Sequence, residues 1–128
     1  MKSDIKLRRL NFSLGIFQLP MHEPVPEWVY QSPFFQLVRT TEECSLVCAM
    51  DYIPKDRQVE PIWKGIYVEG PLDFSLTGIL QQIIAPLAEA AIPIFAISTY
   101  LTDYILVTEP NWEVAINTLQ GAGLAFVD

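Results

Sequence analysis

The chain has 128 residues, of which 51% are hydrophobic and 18% charged, and its formal net charge is −7. This apolar content is enough for a folded core, so a disordered chain is excluded. The acidic balance argues against nucleic acid and against an anionic membrane surface as partners, because both are bound through basic faces.

The chain has few of the histidine and cysteine residues on which zinc sites and histidine catalysis depend. The one histidine, His22, lies in a proline-rich loop, and Cys44 and Cys48 are not spaced as a metal-binding pair. We expect no metal centre and no cofactor, and we interpret the thiols as small buried side chains. No signal peptide is visible, and the most apolar stretch, 79–97, is too interrupted to span a bilayer. The sequence favours a cytoplasmic protein.

The first half of the chain predicts short and irregular elements. Its polar end, 51–61, contains two prolines and has the composition of a linker. Gly15 is a candidate bulge within the first strand region. The predicted elements are one long strand or two, a helical turn and two short strands, over 6–19, 26–30, 34–39 and 45–49.

The second half predicts elements in the order β-α-β-β-α-β, which is ferredoxin-like. Alternating apolar and polar residues predict a strand over 64–69. An apolar stripe at helical spacing then runs from Leu76 to Ala91, with Asp73 or Ser75 as the N-cap. Pro86 lies inside this stripe, where we expect a kink.

The remaining elements are a hairpin, a second helix and a closing strand. The hairpin strands span 94–98 and 104–107, and the closing strand spans 124–127. The second helix begins near Asn111 and ends at Gly121 and Gly123. Its predicted buried face consists of Trp112, Ala115, Ile116 and Leu119.

Two loops hold the residues that suggest binding. The loop 69–78 leads into a helix N-terminus, whose free N–H groups favour a carboxylate. Gly78 costs about 1 kcal/mol against Ala in a helix, which suggests close approach of a ligand or backbone. The loop 98–103 offers hydroxyls and an acid for an ammonium group, although the same residues are ordinary caps and turn formers. Tyr100 and Leu101 at its tip suggest an interface.

The runs 68–80, 85–90 and 94–107 resemble bacterial ACT-domain proteins of the amino-acid-sensor-like type, similar in architecture to eukaryotic cytosolic arginine sensors. The first half resembles the family more loosely. The resemblance implies an α+β fold of two ACT-like, ferredoxin-like βαββαβ units in tandem, over 1–60 and 61–128. The first unit would be degenerate, and each antiparallel sheet would carry its helices on one face.

The resemblance also implies a function and a set of residues. It implies an allosteric amino-acid sensor that catalyses nothing and forms a homodimer, because ACT sheets commonly extend across subunits. A structural or protein-interaction module without a small ligand is the alternative. Ala91 stands where relatives often have glycine. The ligand-binding residues carried over from the family are Asp73, Phe74, Ser75, Gly78, Ser98, Thr99, Thr102 and Asp103.

Overall fold

The computed structural model describes residues 5–70 and 78–127. Contacts divide the chain into two units, which are Met1–Asn11 with Lys64–Asp128 (unit 1) and Phe12–Trp63 (unit 2). The first strand contributes residues to both units. The predicted division into 1–60 and 61–128 concerns sequence units and stays a prediction.

Seven strands and two α-helices form the regular structure of the described residues. Every predicted strand region and both predicted helices contain the expected element, and the predicted helical turn is a 3₁₀ turn at Glu27–Gln31. None of the described helices is long and apolar enough to cross a membrane. The elements are β1 (Lys6–Gln18), β2 (Phe35–Arg39), β3 (Cys44–Ala49), β4 (Trp63–Val68), α1 (Ile79–Glu89), β5 (Phe95–Ser98), β6 (Asp103–Thr108), α2 (Trp112–Gly121) and β7 (Ala125–Phe126).

The sheet of unit 1 has the strand order β7-β1-β4-β6-β5. β5 and β6 form the predicted antiparallel hairpin, with Ser98 opposite Asp103. At the other edge β7 runs parallel to β1, with Lys6 opposite Ala125. The prediction of purely antiparallel sheets is wrong for this pair, because the N-terminal strand lies between β4 and the closing strand. The fold is otherwise of the ferredoxin-like type expected.

Both helices pack their apolar faces onto one cluster in unit 1. The α2 residues predicted to be buried are all buried. The α1 stripe is narrower than predicted, because Ala88 and Ala91 are exposed and only Ile83 and Leu87 are fully buried. The buried cluster consists of Ile5, Leu7, Ile66, Val68, Ile83, Leu87, Ile92, Ile105, Val107, Trp112, Ala115, Ile116, Leu119 and Leu124.

The ends of α1 differ from the predicted ones. Gly78 occupies the N-cap with φ 78°, so the expectation of Asp73 or Ser75 as the cap is wrong, and both of those residues lie outside the described ones. The helix continues through Pro86 to Glu89. At its C-terminus Ala91 adopts a φ of 59°, which lets the N–H of Ile92 donate to the carbonyl of Leu87 at 2.9 Å.

Unit 2 is built on β1, β2 and β3, which pair antiparallel. Gly15 lies opposite Cys48 in a continuous register, so the prediction of a bulge there is wrong. A Cβ at Gly15 would lie 2.8 Å from Cδ1 of Ile53, and this close packing explains the glycine. The buried core of the unit consists of Leu19, Val29, Cys44, Leu46, Cys48, Ile53 and Val59.

The segment 51–61, interpreted from its composition as a linker, is part of unit 2 and is partly buried there. Ile53 and Val59 are only 6% and 8% exposed. Between them the N–H of Arg57 donates to the carbonyl of Pro54 at 3.0 Å and closes a turn. The two apolar side chains fix the segment, although most of its residues are polar.

Candidate functional site

The tip of the β5–β6 hairpin is closed by its own polar groups. The hydroxyl of Ser98 donates to Oδ1 of Asp103 at 2.7 Å. The backbone N–H and the hydroxyl of Thr99 both donate to the carbonyl of Thr102, each at 2.9 Å. These bonds set the four predicted binding residues of this loop in fixed relative positions.

Thr102 connects this hairpin to the end of β4. Its hydroxyl donates to the carbonyl oxygen of Val68 at 2.6 Å, and its side chain is 7% exposed. The hydroxyl is therefore committed inside the protein, and Thr102 acts as a positioning residue. The loop that leads from β4 to α1 consequently departs beside the hairpin tip.

Ser98, Thr99 and Asp103 keep polar groups at the surface. Ser98 and Thr99 are exposed, and Asp103 is half-buried. Within the described part of the chain, the carboxylate of Asp103 accepts only from Ser98. A carboxylate has capacity for several donors, so Asp103 can accept further hydrogen bonds from an ammonium group.

The other half of the predicted site lies largely outside the described residues, since Asp73, Phe74 and Ser75 fall within 71–77. Gly78 is described and is exposed, and no atom of the described residues lies within 4 Å of the position a Cβ would take. No described backbone approaches Gly78 closely, and the close approach of a ligand stays a prediction. Its left-handed φ explains the glycine, because other residues adopt this conformation at a cost.

The first turn of α1 presents backbone donors to any group placed before it. The N–H of Gln82 donates to the carbonyl of Gly78 at 3.1 Å, which is the first hydrogen bond of the helix. The N–H groups of the residues before Gln82 have no partner within the helix, as at every helix start. Such groups favour an anion such as a carboxylate.

An ion pair beside the candidate site was not predicted from the sequence. Nε of Arg8 lies 2.8 Å from Oε1 of Glu69, the residue that follows β4. The two residues are 61 positions apart, and Arg8 lies on β1, the strand that neighbours β4, so no local pattern could indicate the contact. Their side chains are 37% and 36% exposed, and a pair of this kind stabilises by less than about 1 kcal/mol.

Tyr67 and Tyr104 lie side by side on β4 and β6. Their ring centroids are 5.4 Å apart, at an interplanar angle of 32°. Burial raises the pKa of Tyr104, and the proximity of Tyr67 raises it further. Tyr104 therefore stays neutral at physiological pH and packs as an aromatic side chain.

The candidate metal ligands and thiols of the described residues can be placed directly. No cluster of three or more His, Cys, Asp or Glu side chains within 5–70 and 78–127 is arranged to hold a metal ion. Cys44 and Cys48 are buried free thiols, as predicted. Burial raises the pKa of Cys48 in spite of its hydrogen bond with Ser32, so little of the reactive thiolate forms.

Two family models match the chain in adjoining segments. The model of the ACT domain matches residues 58–121, and a model of an N-terminal domain matches residues 13–56. The bovine protein named cytosolic arginine sensor for mTORC1 subunit 1 is 33% identical over 97 residues, which cover 67% of this chain. The human protein of that name is 48% identical over 44 residues. The chain spans only 30% of the bovine protein's length.

Solved structures share this fold. A protein of Agrobacterium tumefaciens is 38% identical and superposes with a TM-score of 0.86, covering 96% of this chain and 92% of its own. The aspartate kinase of Clostridium acetobutylicum is 14% identical with a TM-score of 0.59, and the match covers 93% of this chain and 34% of the kinase. The second likeness concerns the fold alone.

Proposed function

The chain belongs to the ACT domain family, and from this premise we propose that it is a small regulatory protein that binds a free amino acid and catalyses no reaction. ACT-domain membership and the sequence similarity to an arginine sensor support a role in small-molecule regulation. The described residues include no metal-binding cluster, and the buried Cys48 is a poor nucleophile. This supports the proposal that catalysis is absent.

We also propose that two ACT-like units lie in tandem, the first of them degenerate. The adjoining family matches over 13–56 and 58–121 support a division near residue 57. Unit 2 has a three-stranded antiparallel sheet with 3₁₀ turns and no α-helix among its described residues. That is the content expected of a unit that has lost its helices.

The binding site that we propose lies between the hairpin tip and the start of α1. One observation supports it above others, the bond from Thr102 to the carbonyl of Val68, because it holds the hairpin where the loop to α1 departs. Asp103, oriented by Ser98, would accept hydrogen bonds from the ammonium group. The hydroxyl of Thr99 gives its proton to the carbonyl of Thr102, so its oxygen would serve as a further acceptor for the same group. The first N–H groups after Gly78 would receive the carboxylate. Asp73, Phe74 and Ser75 stay predicted members of this site.

Arginine is the first ligand to test, because the bovine and human relatives carry the name of an arginine sensor. A third acceptor, beyond those for the ammonium and carboxylate groups, would be needed for its guanidinium group. The same relatives are named cytosolic, which supports the predicted cytoplasmic location of this chain.

Thermal unfolding in the presence of each proteinogenic amino acid tests the proposal. A ligand present at about 100 times its dissociation constant stabilises the folded state by roughly 2.7 kcal/mol, or several degrees in Tm. Asp103→Asn should remove most of this shift. Glu113→Gln removes an equal charge from the exposed surface of α2 and should keep it. An unchanged Tm with every amino acid would refute the proposal.

A protein-interaction module is the second candidate, and the hairpin tip supports it. Tyr100 is 80% exposed and Leu101 is 57% exposed, as the sequence predicted. Large apolar groups at a loop tip favour contact with another chain, and we propose a second copy of this chain, which forms a homodimer. Sedimentation equilibrium should then detect dimers that Leu101→Ser weakens. Val114→Ser, which alters a 53% exposed side chain on α2, should leave them intact; a monomer at micromolar concentration would contradict the homodimer.

A further inference from the structure

Unit 2 carries two adjoining hollows at its surface, which we call together the Arg57 hollow. One has a volume of about 460 Å³ and is lined by Pro54, Asp56 and Arg57. The other has a volume of about 290 Å³ and is lined by Met50, Asp51, Ile53, Pro54, Lys55 and Arg57. Pro54 and Arg57 border both. These volumes fall near the lower part of the range for small-molecule sites, roughly 300–1,000 Å³.

Aromatic rings hold the guanidinium group of Arg57 in place. Its central carbon lies 5.3 Å from the centroid of Phe17 and 5.9 Å from that of Trp28. These two rings stack on each other with centroids 6.2 Å apart and an interplanar angle of 23°. A planar guanidinium group restrained by aromatic neighbours is suited to bidentate binding of a carboxylate.

The donors of this guanidinium group are available to a ligand. Over residues 5–70 and 78–127, its recorded contacts are the two rings alone. The contacts with the two rings restrain the group electrostatically and leave it without a hydrogen-bond acceptor among the described residues. An external acceptor can therefore bind without displacing a partner on the described chain.

The charges around the hollow have both signs in equal number. Lys55 and Arg57 are cations, Asp51 and Asp56 are anions, and all four residues are exposed. No ion pair joins any of the four to another described residue. A simple anion would be attracted by two of these groups and repelled by the other two. A zwitterion can satisfy both kinds at once.

The walls of the smaller hollow are partly apolar. Ile53 is buried, and Met50 and Pro54 are half-buried. An aliphatic side chain placed here would remove apolar surface from water on both sides of the contact. Met50 has a flexible thioether that adapts to the shape of such a group.

We infer that the Arg57 hollow is a second small-molecule site, which binds a free aliphatic amino acid. Arg57 and Lys55 bind its carboxylate, Asp51 or Asp56 binds its ammonium group, and Met50 and Ile53 contact its side chain. This site shares no residue with the hairpin site and goes beyond the proposed function.

The test uses leucine as the probe and NMR of the isotopically labelled full chain. Binding should shift two signals, the indole N–H of Trp28 and the Nε–H of Arg57, and both shifts should saturate as leucine is added. The Trp28 signal is assigned by its loss in Trp28→Phe. Acetate and ethylammonium, which each carry one of the two charges, should shift these signals far less at equal concentration. Arg57→Gln should weaken leucine binding by about tenfold or more.

Two variants make this result specific. Arg39→Gln is the control, because it also removes one positive charge from unit 2. The side chain of Arg39 donates to the carbonyl of Glu23 and does not line the hollow, so this variant should bind leucine with unchanged affinity. Arg57→Lys keeps the charge but loses the planar fork, and should bind with intermediate affinity. If Arg57→Gln does not fold, the leucine affinity of Arg57→Lys is compared with that of the unaltered protein, and this comparison tests the role of Arg57.

Several outcomes overturn this inference. They are no shift of either signal with leucine at millimolar concentration, equal shifts with acetate, and unchanged affinity in Arg57→Gln or Arg57→Lys. Shifts confined to the amides of 98–103 would uphold the hairpin site and reject this one. Shifts of Trp28 and Arg57 with leucine would support this site. The hairpin site would be rejected only if no proteinogenic amino acid shifts the amides of 98–103.

Discussion

The hydroxyl of Thr102 lies 2.6 Å from the carbonyl oxygen of Val68, to which it donates a hydrogen bond. Both residues are buried, at 7% and 2% exposure. A buried carbonyl needs a donor, and this donor comes from the hairpin that carries Asp103. The same bond thus stabilises unit 1 and sets the position of the candidate binding residues.

Thr102→Val should destabilise the protein by about 1–3 kcal/mol, because a group of similar shape replaces the hydroxyl and the carbonyl of Val68 loses its donor. Urea unfolding measures the change. Thr99→Val is the matched control, since Thr99 is exposed and its hydroxyl bonds only within the hairpin turn. An equal loss in both variants would contradict the role given to Thr102.

Ala91→Gly should stabilise the protein by up to about 1 kcal/mol. Ala91 has a φ of 59°, a conformation that costs an L-residue roughly 1–2 kcal/mol, and glycine's greater freedom in the unfolded chain offsets part of the gain. Ala90→Gly, one position earlier at φ −84°, should destabilise. Thermal unfolding of both variants compares them, and a loss of stability in Ala91→Gly would refute the argument.

Gly65→Ala should cost about 1–3 kcal/mol, because its Cβ would lie 2.5 Å from Cδ1 of Leu10 and 3.0 Å from Cδ2 of Leu106. Gly121→Ala is the control at the end of α2, where nothing lies within 4 Å of the added carbon. It should be neutral or stabilising by up to about 1 kcal/mol, because alanine favours the helix. Similar losses of unfolding free energy in both variants would contradict the close packing of β1, β4 and β6.

The free energy of unfolding should decline as pH rises above about 10, and Tyr104→Phe should reduce that decline. Burial raises the pKa of Tyr104, so the unfolded chain releases the phenolic proton at lower pH than the folded chain does. The stability from this group is complete below the ordinary tyrosine pKa and is lost as pH rises through the folded value. Urea unfolding at a series of alkaline pH values measures the decline, and an equal decline in Tyr104→Phe would contradict this prediction.

Periodicity predicted the second half of the fold well, because α2 and the hairpin each follow one clear pattern. Trp112 and Leu119 recur at helical spacing and are buried as predicted. The place of β1 between β4 and β7 could not be predicted, since strand order depends on contacts between residues far apart in sequence. The partial burial of the segment 51–61 could not be predicted either, because its polar mean composition conceals the two buried side chains of Ile53 and Val59.

The candidate site was predictable only in part. Resemblance and turn chemistry indicated Ser98 and Asp103, which do form a hydrogen bond. They could not indicate that Thr102 bonds to a backbone carbonyl 34 positions away, because a carbonyl group has no signature in the sequence. The reason for the glycine at position 78 could not be predicted, because a left-handed φ and a close approach of other atoms both favour glycine.

Calorimetric titration tests the central claim most directly, with arginine first and the other proteinogenic amino acids after it. The account predicts saturable binding of at least one amino acid to the unaltered protein, about tenfold or more weakened in Asp103→Asn and unchanged in Glu113→Gln. Absence of binding by every amino acid at millimolar concentration, or equal affinity in Asp103→Asn, would contradict it.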